Sequence, residues 1–336
     1  MHFTSVPVFF ACFPGLKPAI RKVRMRSYLC HKTSHQFELD GHLDKSPWTE
    51  AAWTEDFVDI EGDLKPKPRF RTRAKMVWND EFLFVAADLE EPHVWATLTE
   101  RDSVIFQDND FEVFIDPNGD NQLYAEFEMN ALNTVWDLLL IKAYRDGGPP
   151  VTGWDIHGLK STVQVHGTIN DPNTIDQGWS LEIAFPWKAL GEIAGTACPP
   201  REGDQWRIDF SRVEWHTEII DGKYHKIPGR PEDNWVWSPQ GVVDMHRPET
   251  WGVLQFTTAP FGQGSVKPLD GLVERNSLME IYYAQRKYRS QTGHWAKTLK
   301  DLGVYPTGAS LYTTPSLYEA TLGDWHIDST SRIWRQ

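Results

Sequence analysis

The feature that most constrains this chain is a rhythm. From about residue 35, short runs of alternating apolar and polar residues are broken by turn signals every 8 to 14 residues. Alternation at period two puts successive side chains on opposite faces of a strand, and regular interruption by Gly, Pro, Asn and Asp turns the chain back on itself, the pattern of a β-sandwich or barrel. Strands are predicted near 35–40, 69–78, 82–89, 110–116, 123–130, 134–141, 158–166, 178–185, 204–214 and 251–256. PKP at 66–68, RDGGPP at 145–150, INDPN at 169–173 and CPP at 198–200 supply breaks between them.

After Phe256 the texture changes. A Pro/Gly-rich linker over 259–271 leads into a tail, 272–336, in which Leu278, Ile281, Tyr282, Gln285 and Tyr288 form a helical stripe with Gly293 as its stop. This predicts a small helix-containing appendage that packs on an edge of the sandwich. Residues 1–34 read as a leader, disordered or targeting. They hold no acidic residue, and the apolar run Val6–Phe13 precedes the basic cluster Lys17, Arg21, Lys22, Arg24 and Arg26, the reverse of a secretory signal. No apolar run reaches the roughly 18 residues of a membrane span.

A net charge of -13 argues against a nucleic-acid partner, because phosphate binding draws on clustered Lys and Arg. Cys12, Cys30 and Cys198 lie far apart with no C-x-x-C pair, which indicates neither a zinc knuckle nor a disulfide framework. There is no G-x-S-x-G elbow for a hydrolase triad. His216, His225 and His246 match no metal-ligand spacing and read as solvated loop histidines.

The stretch DNDFEVFIDPNGDNQLYAEFEMN, 108–130, carries the strongest chemical signal. Phe111, Val113, Ile115, Ala125, Phe127 and Met129 share the core face, and Glu112, Phe114, Asp116, Tyr124, Glu126, Glu128 and Asn130 share the other. Symmetric pairing about the loop sets Glu112 opposite Glu128 and Phe114 opposite Glu126. Like charges directly opposite destabilise a sheet by up to about 1 kcal/mol, so the pairing needs a reason. A cation or basic side chains, a hydroxyl-rich ligand, or acid/base catalysis of glycoside hydrolysis by Glu112 and Glu128 would each supply one. Arg71 and Arg73, on a strand whose alternate residues from Arg69 to Lys75 are all basic, are the candidates for an arginine-carboxylate lattice. Such a lattice would suit a protein-interaction module. The loop oxygens of Asp116, Asn118 and Asp120 are candidate Ca²⁺ ligands, although their spacing is not that of an EF-hand and serves equally for a tight turn.

Sixteen Trp, 17 Phe and 10 Tyr exceed what packing ordinarily uses. A flat ring beside carboxylates is what a pyranose requires, because a sugar presents one apolar C–H face and a rim of hydroxyls. Trp136 follows the acidic hairpin, and Trp215 and Trp237 bracket a long polar loop over 216–234, which makes all three candidate platforms.

The ordered series LDGHLDKSPW, AKMVWNDEFLFVAADLEEP, DNDFEVFIDPNGDN, GWSLEIAFPWKAL, WRIDFSRVEW, VWSPQG and MHRPETWGVLQF, spanning about residues 36–257, resembles carbohydrate-binding module family 9. The resemblance implies an all-β, jelly-roll-like β-sandwich, here over 35–258, that binds sugar chain ends or disaccharides without catalysis in the service of carbohydrate catabolism. It also implies structural Ca²⁺, no other cofactor, and an extracellular or periplasmic location. Members hold the sugar between two tryptophans with charged and amide support. The acidic position falls on Glu112 and the amide on Asn130, the two tryptophans fall on Phe106 and near Met245, and an arginine of the family is Glu128 here.

Overall fold

The computed structural model describes residues 24–304 and 306–336. The predicted rhythm becomes fifteen strands before the tail: β1 Ser27–Lys32, β2 Val58–Asp59, β3 Thr72–Trp78, β4 Phe82–Glu90, β5 Asp110–Asp116, β6 Gln122–Asn130, β7 Val135–Lys142, β8 Pro150–Val151, β9 Lys160–His166, β10 Gly178–Pro186, β11 Gln205–Glu214, β12 Thr217–Ile220, β13 Lys223–Lys226, β14 Asp233–Val236 and β15 Gly252–Thr257. A short helix, α1 Trp187–Leu190, follows β10. Thirteen strands form one curled sheet in the order β8-β7-β6-β5-β11-β15-β1-β3-β4-β10-β9, with β14 on β11 and β2 on β14.

The sheet folds over so that β6-β5-β11-β15 face β3-β4-β10 across a shared core. Phe127 of β6 meets Phe185 of β10 edge to face at 5.5 Å, and Trp78 of β3 meets Phe256 of β15 at 5.7 Å. These aromatics are at most 3% exposed, and burying each stabilises the fold by roughly 2–3 kcal/mol. The sandwich architecture is thus the predicted one, with the inward residues of β5 and β6 all in this core.

The two ends of the chain depart from expectation. The predicted strand at 35–40 is irregular, because the amides of Asp40 and Gly41 donate to Glu182 Oε2 instead of to a ladder, while Phe37 packs on Trp48 and Phe84. The strand is β1, which lies inside the residues assigned to the leader and pairs in parallel with both β15 and β3. Its Tyr28 and Cys30 point into the core, and Trp78 Nε1 donates to the Cys30 carbonyl at 3.1 Å. The apolar and early basic parts of the leader, with Cys12, lie outside the described residues.

The tail carries the expected helix, α2 Leu272–Thr292, ended by Gly293 at φ 79°. It also carries α3 Leu299–Leu302 and a four-stranded antiparallel sheet, β16 Ser310–Thr313, β17 Tyr318–Leu322, β18 Trp325–Asp328 and β19 Ile333–Arg335. The appendage is therefore an α/β unit with its own core, in which Leu278, Ile281 and Tyr282 of α2 lie on Tyr318, Trp325 and Ile327. Strands of three to five residues are too short for period two to announce them. Among the described residues, no helix is long and apolar enough to cross a membrane.

Candidate functional site

The hairpin forms in the predicted register: Glu112 lies opposite Glu128, Phe114 opposite Glu126 and Asp110 opposite Asn130. Extending the row across four strands places Ser211, Glu112, Glu128 and Trp136 side by side on the outer face of the sandwich. That face is not open. Asp110, Glu112, Glu126 and Glu128 are 0, 6, 5 and 1% exposed.

The cover comes from segments distant in sequence. Met245 packs with Trp136 beside Trp251, Phe114, Tyr124 and Leu138. His246 stands edge-on to Phe114 at 5.8 Å and to Tyr144 at 4.5 Å, with its Nδ1 3.0 Å from the Tyr124 hydroxyl. The appendage buttresses the adjoining loops: Asn121 Nδ2 donates to the Ser331 carbonyl, and Arg275 donates to the Gly119 carbonyl.

Few donors reach the four carboxylates. Val213 N donates to Asp110 Oδ1 and Phe106 N donates to Glu128 Oε2, each at 3.0 Å, and Ser211 lies opposite Glu112 on β11. Asp110 Oδ2 and Glu126 Oε2 have no partner among the described residues. Burial pushes the Glu112 carboxyl up to about 7 against the pull of Ser211, and burial with mutual repulsion raises Asp110, Glu126 and Glu128 well above the ordinary range. His246, 4.0 Å from Glu126, does not neutralise them, because burial and then Arg145 depress its imidazole to about 3.

Of the sequence candidates, Phe106, Glu112, Glu126, Glu128 and Trp136 are brought together. Trp215 adjoins them, its Nε1 donating to the Phe106 carbonyl at 2.9 Å and the Lys226 ammonium lying 3.7 Å above its ring. Phe106, Trp136 and Trp215 are half-buried at the margin of the acidic face. The remaining candidates lie elsewhere. Arg71 and Arg73 project from the outer face of the opposite half, where both pair with Asp88, so the core separates them from the hairpin and the lattice does not form. Trp237 points inward and packs on Phe210 at 5.8 Å. Asn130 shares the acidic face but is spent on its own surroundings: its Nδ2 donates to the Leu98 carbonyl and the Asp108 carboxylate, and its Oδ1 accepts from Leu132 N and Thr134 N.

The Asp116–Asn121 loop is closed by its own hydrogen bonds. Asp116 accepts from Gly119 N and Asn121 N, Asn118 accepts from Asp120 N, and Asp120 accepts from Gln122 N, all within 3.0 Å. These bonds account for the loop as a tight turn. Among the described residues, two groups of three carboxylates are close enough to share one: Asp102-Asp137-Asp155 and Asp110-Glu112-Glu128. Arg101 already bridges Asp137 and Asp155 in the first. Asp110 and His246 were not singled out by sequence reasoning as part of the site. The first needed only the β5 alternation continued two residues back, whereas nothing local marks the second.

The family profile described as carbohydrate family 9 binding domain-like matches residues 39–211. A presumed carbohydrate-binding protein from Bacteroides uniformis is similar in structure, with a TM-score of 0.52 at 16% identity over 69% of this chain and 100% of that one. Two structures of a family 9 carbohydrate-binding module from Caldicellulosiruptor kristjanssonii also align at 14% identity and cover all of that module. The one with cellotriose spans 72% of this chain at a TM-score of 0.44, and the one with glucose 71% at 0.45. No curated protein matches the sequence.

Proposed function

Since the chain belongs to the carbohydrate family 9 binding domain-like family, we propose that it binds a polysaccharide or oligosaccharide non-catalytically at the Phe106-Trp136-Trp215 margin of the acidic face, in carbohydrate catabolism outside the cytoplasm. The observation that carries this reading is the juxtaposition around Glu128. Trp136 sits beside it on the neighbouring strand, and Phe106 donates its amide to it. An aromatic ring offers the apolar C–H face of a sugar its complement, and Glu126, with an unfilled oxygen, is an acceptor for sugar hydroxyls. Seating a ring there requires the Met245–His246 cover to shift, so modest affinity, millimolar to micromolar, is expected. Isothermal titration or a glycan array, each run with calcium and with chelator, should detect a ligand. Trp136→Ala should weaken its binding at least tenfold. An array without hits in both conditions, on folded protein, would sink the proposal.

Glycoside hydrolysis is the second reading, favoured by the Glu112 carboxyl near 7, a value suited to a general acid. It requires turnover of an aryl glycoside or polysaccharide that Glu112→Gln abolishes.

A further inference from the structure

Asp110, Glu112 and Glu128 converge on one another, with one oxygen from each lying within 4.8 Å of the others. Oxygens on opposite sides of a calcium ion, each about 2.4 Å from it, are themselves about 4.8 Å apart. The cluster is sealed, and among the described residues no Lys or Arg forms an ion pair with any of its members or with Glu126. Concentrating carboxylates in a water-poor site is costly unless a cation or protons accompany them.

A second observation bears on which it is. Among the described residues, Asp110 Oδ2 and Glu126 Oε2 are buried without a hydrogen-bond partner. Glu126 shares this face of β6, two residues before Glu128 and opposite Phe114. Buried acids elsewhere in the fold are not left so. Asp108 receives Thr97 N, Leu98 N, the Thr97 hydroxyl and Asn130 Nδ2, and Asp209 receives Phe210 N, Ser238 N and Gln240 Nε2. Among the described residues the orphaned carboxylate oxygens are these two, at the one cluster without a basic partner, and they indicate a ligand that accepts lone pairs from several directions. A hard cation does this.

We infer that Asp110, Glu112 and Glu128, with Glu126 at the edge, form a binding site for one hard divalent cation such as calcium, distinct from the Asp116–Asn121 loop. The site does not depend on the carbohydrate reading. The cation would hold the two hairpin glutamates together, removing the repulsion that their register imposes.

The test uses the full chain, stripped with chelator and then titrated with Ca²⁺, Mg²⁺ or Mn²⁺ in the absence of sugar. One site per chain is expected by calorimetry, and at a hundredfold excess over Kd the melting temperature should rise by about 5 °C. Glu128→Gln and Glu112→Gln should each weaken cation affinity at least tenfold, yet melt at or above the wild-type temperature in chelator, where they remove repulsion. Asp102→Asn, at the Arg101-bridged cluster, should bind as wild type does. No heat and no thermal shift with any of the three ions would overturn the inference, as would binding lost in Asp102→Asn and kept in both glutamate variants. Should a glutamate variant fail to fold, the wild-type titration and the other variant decide. Because sugar is absent throughout, failure here leaves the carbohydrate proposal standing, and a sugar-binding failure leaves this one standing.

Discussion

Glu249, at the junction between sandwich and appendage, and Glu126, on the outer face of β6, are both withdrawn from water, with side chains 9 and 7% exposed. Their surroundings differ. Arg145 and Arg247 approach Glu249 at 3.1 and 3.2 Å and the Tyr283 hydroxyl donates to it, whereas among the described residues Glu126 has only a neutral histidine at 4.0 Å. Burial pushes both carboxyls up. Around Glu249 the two arginines and Tyr283 overcome it and hold the group below its ordinary value, while around Glu126 the neighbouring Glu112 adds to it. Asp146, at the same junction, is likewise supplied with donors, from Arg286, Tyr282 and Ser331. The junction is a completed polar network and the acidic face an incomplete one. Burial alone therefore does not tell a structural acid from a ligand-seeking one; the partner count does.

The largest test of this contrast is Arg145→Met. It leaves Glu249 buried with one arginine fewer and should cost about 3 kcal/mol in urea unfolding. A loss below about 1 kcal/mol would mean that the junction is no better satisfied than the acidic face. A smaller effect is expected from pH. The Glu249 carboxyl is lowered in the fold from 4.5, so its contribution is present above that value and lost as pH falls below it through the folded value. The melting-temperature difference between wild type and Glu249→Gln should accordingly shrink on acidification below 4.5; a constant difference would show that the charge contributes nothing. Smallest of all is Arg332→Ala. It removes a largely exposed guanidinium 3.5 Å from Asp120 and should change stability by less than about 1 kcal/mol, because exposed pairs are screened by water.

Much of this was legible in the residues. Alternation in DFEVFID and QLYAEFEMN located β5 and β6 to within a residue and set Glu112 against Glu128, since strand geometry leaves little freedom once the faces are assigned. The Arg71 and Arg73 lattice failed because alternation tells the two faces of a strand apart without saying which half of a folded-over sheet the strand joins. Trp237 was misread for a related reason, as a Trp beside a long loop is equally fit to plug a core. β1 was hidden because a six-residue strand behind an apolar and basic segment resembles the end of a leader.

What the sequence determined by itself is local and periodic: where the strands run, which side chains share a face, and that two glutamates must meet across a turn. The tertiary structure decided whether that meeting takes place in water. Met245 and His246 come from more than a hundred residues beyond the hairpin to close the face, and Arg145 and Arg247 are drawn to the junction instead. The electrostatic state of a carboxylate follows from the solvent it loses and the partners it gains, and both are supplied by segments that the spacing of its neighbours does not encode.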